Sequence, residues 1–93
     1  MDGNGFINSV ENSLVTLAPI TKFIINKQMK DLDITKDTIT PDKAIIFINK
    51  MTNALVMCLG KDGSQLARKM MIKQLRQYAP EYLESKGLTA VTV

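Results

Sequence analysis

Residues 44–59, with the sequence AIIFINKMTNALVMCL, constrain the fold most, because they are too apolar for an ordinary surface helix. A helix start signal, Thr40-Pro41-Asp42, precedes this stretch, and Gly60, which is typical of a helix end, follows it. At helical spacing its apolar residues share one wide arc, made up of Ala44, Phe47, Ile48, Met51, Ala54, Leu55, Cys58 and Leu59. A helix with such an arc needs cover on more than one side. We therefore expect it to be the central helix of the fold.

Two large apolar side chains, Ile46 and Met57, lie nearly opposite that arc. Lys50 and Asn53 fall on the same outer side of the helix. If a single copy of the chain leaves Ile46 and Met57 exposed, a partner should cover them. We therefore predict that Ile46, Met57, Asn53 and Lys50 form an interaction surface.

Hydrophobic spacing predicts further helices around the central one, over residues 6–17, 20–32 and 64–78. Pro19 separates the first two, and residues 33–40 form a polar connection whose two isoleucines should point inward. A last short turn is expected at 81–87. The sequence thus predicts an all-α fold, a small single-domain bundle of four to five helices around a central apolar helix.

Short connections and caps set the expected order of these helices. Gly60 should adopt a left-handed conformation and lead through Gly63 to Ser64, the predicted cap of the next helix. A connection this short implies that the helix 64–78 runs antiparallel to the central helix. At the ends of the chain we expect a flexible N-terminal turn at 1–5 and a C-terminal tail at 88–93, on either side of a helical domain at 6–87.

Chain length and cysteine content indicate which oligomeric state and which cellular compartment to expect. A chain of 93 residues makes one modest core, which a second subunit would enlarge, so a homodimer is expected. The single cysteine, Cys58, allows no disulfide within the chain and is expected on the buried arc. No signal-peptide pattern is evident, and residues 44–59 are too short and too interrupted to span a bilayer. The expectation is a cytoplasmic protein without membrane contact.

The residue inventory argues against catalysis. With no histidine and one cysteine, the chain cannot assemble the usual zinc sites or the Ser-His and Cys-His nucleophile pairs. Neither glycine-rich phosphate-binding motif occurs. The carboxylates lie in turns and at helix ends, where capping and solubility explain them. We therefore expect neither an enzyme nor a cofactor.

Residues 2–11, DGNGFINSVE, resemble the last ten positions of an EF-hand calcium loop. Asp2 stands at the third position, Asn4 at the fifth, Gly5 at the sharp turn and Glu11 at the twelfth, which binds calcium through both oxygens. The resemblance implies weak calcium binding by Asp2, Asn4 and Glu11. The alternative is an N-terminal turn followed by a solvent-facing glutamate, with no metal site.

Residues 14–20, LVTLAPI, resemble the Leu-x-x-x-Gly-Pro-Ile segment of small helical modules attached to some bacterial signalling proteins. Ala18 replaces the glycine of that segment. The resemblance implies a signalling module.

The predicted helix 64–78 carries four cations and no acid, namely Arg68, Lys69, Lys73 and Arg76. With a net charge of +3, this basic face could steer an acidic protein partner or follow a phosphate backbone. No aromatic residues interleave the cations as stacking platforms. The sequence therefore favours a small helical protein-protein interaction or scaffolding module that self-associates, and the alternative is a nucleic-acid-binding regulator that uses this helix.

Overall fold

The computed structural model describes residues 1–80 and 82 and contains three helices in that part of the chain. Helix α1 spans Gly3–Val15, α2 spans Thr21–Asp31 and α3 spans Pro41–Tyr78. The all-α class is confirmed. The predicted count of four to five helices is wrong, because residues 41–78 form one element and the predicted turn at 81–87 lies largely outside the described residues.

Helix α3 folds back on itself at Gly60, where φ is 75° and ψ is 176°. A straight helix of its length would span about 57 Å, whereas the longest dimension of the molecule is 32 Å. Two hydrogen bonds join residues on opposite sides of the bend. Arg68 Nη1 donates to Asn49 Oδ1 at 2.6 Å, and the Tyr82 hydroxyl donates to Asp42 Oδ1 at 2.5 Å. The parts of α3 before and after the bend therefore lie antiparallel.

We refer to residues 41–59 as the first arm and to residues 61–78 as the second arm. Thr40 caps the first arm as predicted, since its hydroxyl accepts the amide of Lys43 at 3.3 Å. Ser64 does not cap the second arm. Its hydroxyl is buried and donates to the carbonyl of Lys61 at 2.8 Å, because the helix resumes directly after Gly60.

Helix α1 begins three residues earlier than predicted. Asp2 is its cap, accepting the amide of Gly5 at 2.9 Å, so residues 3–5 belong to the helix rather than to a preceding turn. Gly3 is buried, and a Cβ at this position would collide with the carbonyl oxygen of Lys36. The start of α1 therefore packs directly against the connection between α2 and α3.

The core lies between the first arm and its three neighbours, α1, α2 and the second arm. Ile34 and Ile39 of the connection point inward, as predicted, with 5% and 4% of their surface exposed. Five residues of the central arc are fully buried: Ala44, Phe47, Ile48, Met51 and Leu55. From α1 the core receives Phe6, Ile7, Val10 and Leu14, and from the second arm Ala67, Met71, Ile72 and Leu75.

Side-chain contacts fix the directions of the helices. Ser9 and Tyr78 hydroxyls lie 3.2 Å apart, and Gln74 Nε2 donates to Ser13 Oγ at 3.4 Å, so α1 runs antiparallel to the second arm. Glu11 and Lys22 form an ion pair at 4.0 Å, which brings α2 back alongside α1. The α1–α2 connection therefore lies in the half of the molecule that contains the Gly60 bend.

Helix α3 is long and apolar enough to cross a bilayer by length and composition, and 33% of its most apolar stretch is buried. Core helices of water-soluble proteins meet the same criterion. That the protein makes no membrane contact stays a prediction.

Candidate interaction surface

The four residues predicted to interact lie on one outer stripe of the first arm. Ile46, Lys50, Asn53 and Met57 follow one another at spacings of four, three and four, which places them on one side of a helix. All four are exposed, and Met57 has 93% of its surface accessible and Ile46 47%. We call these four residues the outer stripe.

A small apolar notch adjoins one end of the outer stripe. Its volume is about 130 Å³, and it is lined by Leu32, Ile34, Lys43 and Ile46. It lies where the end of α2 and the following connection meet the first turns of α3. Ile46 thus belongs both to the stripe and to the wall of the notch.

Met57 is uncovered because it lies on the side of the first arm that faces away from the core, and the arm also extends beyond the helices that pack on it. The first arm is about 28 Å long, whereas α1 and α2 measure about 20 and 17 Å. Cys58 is exposed for the same reason, so its predicted place on the buried arc was wrong. Leu66 of the second arm is also 49% exposed.

Sequence reasoning also missed exposed apolar residues around the α1–α2 connection. Phe23 is 74% exposed and Ile20 52%, although helical spacing assigned both to the apolar face of α2. Val15 and Leu17 are partly exposed beside them. The only available signal was Pro19, which lies in the connection between the end of α1 at Val15 and the start of α2 at Thr21.

Three of the four basic residues form an exposed stripe on the second arm. Lys69, Lys73 and Arg76 lie on one side of the helix, and within residues 1–80 and 82 none of them has an ion-pair partner. Arg68 is half-buried and instead binds Asn49 of the first arm. The basic face thus consists of three exposed cations and one arginine that joins the two arms.

The three residues of the calcium-loop resemblance are not brought together. Asp2 caps α1, Asn4 donates to Asp37 Oδ1 at 2.7 Å, and Glu11 pairs with Lys22. Residues 3–11 are helical, so Asp2 and Glu11 lie about 13 Å apart along the helix axis. An ion with oxygen ligands at about 2.3–2.6 Å cannot contact both.

Comparisons of this chain with protein-family models, curated proteins and solved structures found no match.

Proposed function

We propose that this chain is a small helical protein-protein interaction or scaffolding module that self-associates through the outer stripe and has no catalytic site. The observation that carries the proposal is the exposure of Met57 and Ile46 on one stripe, next to an apolar notch. Fully burying a side chain such as Met or Ile contributes about 1.5–3 kcal/mol. Met57 is 93% exposed and would gain most of this contribution, whereas Ile46 is 47% exposed and would gain about half of it.

The stripe has the composition of an interface rather than of a core. Its apolar ends are separated by Lys50 and Asn53, which keep the free surface soluble and can form hydrogen bonds across a contact. The exposed cations Lys69, Lys73 and Arg76 add electrostatic steering, which would raise the association rate with an acidic protein partner. We place such a module in the cytoplasm, where the exposed thiol of Cys58 would stay reduced.

Sedimentation across a range of protein concentrations tests the self-association. The natural chain should dimerise, and Ile46→Asp with Met57→Asp should raise the dimer dissociation constant at least about 100-fold, because the carboxylates would lose water on association. Circular dichroism should show unchanged helix content in the variant.

The matched control is Phe23→Asp with Leu66→Asp, which makes the same change at two exposed apolar positions outside the stripe. This control should dimerise like the natural chain. A natural chain that is monomeric at every concentration, or a dimer that only the control variant dissociates, would contradict the proposal.

The second candidate is a nucleic-acid-binding regulator that uses Arg68, Lys69, Lys73 and Arg76. The exposed stripe of Lys69, Lys73 and Arg76, which has no ion-pair partner among residues 1–80 and 82, favours it. Binding to duplex DNA should then weaken with salt, and the logarithmic slope should fall by about 0.9 for each phosphate contact removed. Replacing those three residues by Gln should lower the slope, whereas Lys22→Gln, Lys27→Gln and Lys30→Gln on α2 should not. No binding at low salt would dismiss this candidate.

A further inference from the structure

We infer that two copies of this chain pair with their first arms antiparallel across a two-fold axis, so that Met57 of each copy inserts into the notch beside Ile46 of the other. This inference rests on the proposed self-association and adds its geometry. An interface around a two-fold axis uses the same patch on both copies, so every contact occurs twice.

The order of residues along the outer stripe favours the antiparallel sense. A two-fold axis midway between residues 46 and 57 places Ile46 opposite Met57, and Lys50 opposite Asn53 of the second copy. The ammonium group of Lys50 only donates hydrogen bonds, and the side-chain carbonyl of Asn53 accepts them. A parallel pair would instead place Lys50 directly opposite Lys50, so that neither ammonium group faces an acceptor. In the antiparallel pair the two Lys50 residues are offset by about 4.5 Å along the axis and each faces an amide.

The shapes of the two ends of the stripe also match. Met57 projects almost completely into solvent, and the notch beside Ile46 has a volume of about 130 Å³. A cavity of about 150 Å³ holds a benzene-sized guest, so the notch has room for the end of one long side chain. Methionine is flexible and fills irregular apolar gaps well.

The occupant is a second copy because each chain carries both the inserting side chain and the notch that receives it. The two parts lie on one stripe, eleven residues and about 16 Å apart along the helix. When Met57 of one copy enters the notch of the second copy, the two-fold axis places Met57 of the second copy in the notch of the first. Only two large apolar side chains of each copy enter this contact, so we expect weak association, with a dissociation constant in the micromolar range.

Disulfide trapping tests the orientation, in a Cys58→Ser background that removes the natural exposed thiol. The two samples are Ile46→Cys and Met57→Cys, oxidised separately and as an equal mixture. In the antiparallel pair two copies of residue 46 are about 16 Å apart along the axis, too far for Cβ atoms that a disulfide holds at about 3.5–4.5 Å. We therefore expect a cross-linked dimer in the mixture and none in either separate sample.

A second variant, Asn53→Asp, keeps Met57 and Ile46 intact. In the antiparallel pair it places two new carboxylates opposite the two Lys50 ammonium groups, and should lower the dimer dissociation constant by about threefold to tenfold. In a parallel pair it places Asp against Asp and should raise that constant. Asn53→Ala is the control for loss of the amide alone.

Sedimentation of the natural chain separates this inference from the proposed function. A dimer whose separate cysteine samples cross-link with themselves, or that cross-links in no sample, overturns the antiparallel geometry and leaves self-association standing. Weaker association of Asn53→Asp than of Asn53→Ala overturns it as well. A monomer at every concentration overturns both.

Discussion

Leu55 and Val56 are neighbours in the chain, but the first arm buries Leu55 completely and leaves Val56 42% exposed. Leu55→Ala should lower the free energy of unfolding by about 2–5 kcal/mol, because it removes a buried side chain and leaves a cavity. Val56→Ala removes a smaller group from a partly exposed side chain. Substitutions at the surface usually change the free energy of unfolding by no more than about 0.5 kcal/mol. Urea unfolding of both variants measures the difference. A loss below about 1 kcal/mol for Leu55→Ala would contradict its place in the core.

Tyr82 joins the end of the described chain to the start of α3. The pKa of its hydroxyl is raised above 10.0 because it donates a hydrogen bond to Asp42, and burial and the negative charge of that carboxylate add to the shift. A raised pKa means that the folded state favours the protonated hydroxyl. The stabilisation is therefore complete below pH 10 and is lost as the pH rises through the folded-state pKa.

Tyr82→Phe should remove this dependence on pH. The natural chain should be more stable than the variant at about pH 8, and the difference should shrink at about pH 11, where tyrosine ionises. Comparing the two chains at each pH cancels the titration of the lysines, which both share. A difference in unfolding free energy that is constant across this range would contradict the role of the hydrogen bond.

At the residue scale, the sequence could predict burial where neighbours cover a helix along its whole length. The periodic positions Ala44, Phe47 and Met51 lie in the covered part of the first arm, and each is fully buried. Cys58 and Phe23 share the same kind of spacing but lie where the covering helices end. Their exposure depends on relative helix lengths, which periodicity within one helix does not contain.

At the element scale, Gly60 decides whether α3 is a straight rod or a folded pair of arms. Its torsions, φ 75° and ψ 176°, belong to a region that only glycine adopts without strain. A Cβ at this position would meet no atom within 4 Å, so the cost of a side chain comes from the backbone alone. Gly60→Ala should therefore lower the free energy of unfolding by about 1–3 kcal/mol.

Lys61→Ala is the matched control for the bend, since it changes the next residue, which is exposed and helical. It should change the stability by less than about 0.5 kcal/mol. Chemical denaturation compares the two variants. Equal stability of Gly60→Ala and Lys61→Ala would show that the bend does not depend on a glycine.

The local signals at helix ends were informative to different degrees. Thr40 with Pro41 predicted the start of α3 correctly, because a cap and a proline at the first helical position both act within one turn. Asp2 was predicted to lie in a turn, whereas it caps α1. Ser64 was predicted to be a cap, whereas it lies inside the second arm. The hydrogen bonds that make a residue a cap depend on where the helical backbone begins. It begins at Gly3 in α1 and directly after Gly60 in the second arm.

At the scale of the whole molecule, self-association should couple to stability. Because a dimer forms only from folded chains, the midpoint of thermal unfolding should rise with protein concentration. The double variant Ile46→Asp with Met57→Asp should lose this dependence. Thermal scans over a hundredfold range of concentration measure it, and a concentration-independent midpoint for the natural chain would contradict a dimer.

The outer stripe could be predicted from the sequence because it is defined by one helix. Ile46 and Met57 were identified as apolar residues opposite the core arc, and the structure leaves both exposed. The notch beside Ile46 could not be predicted, since Leu32 and Ile34 reach it from another part of the chain. A surface formed by one helix can be predicted from the spacing of its residues. A concave site between several elements cannot, because it depends on how those elements pack.

The bend at Gly60 has a consequence for how copies of this chain could exchange parts. The bend between the two arms is made by a single residue with non-helical torsions. If that residue became helical, α3 would be one long rod, and its second arm would leave its own core. That arm could then complete the core of a neighbouring copy, which would return its own arm in a domain swap. Removing the glycine could therefore favour an interlocked dimer, distinguishable from surface pairing by its slow dissociation, since each chain must unfold to separate.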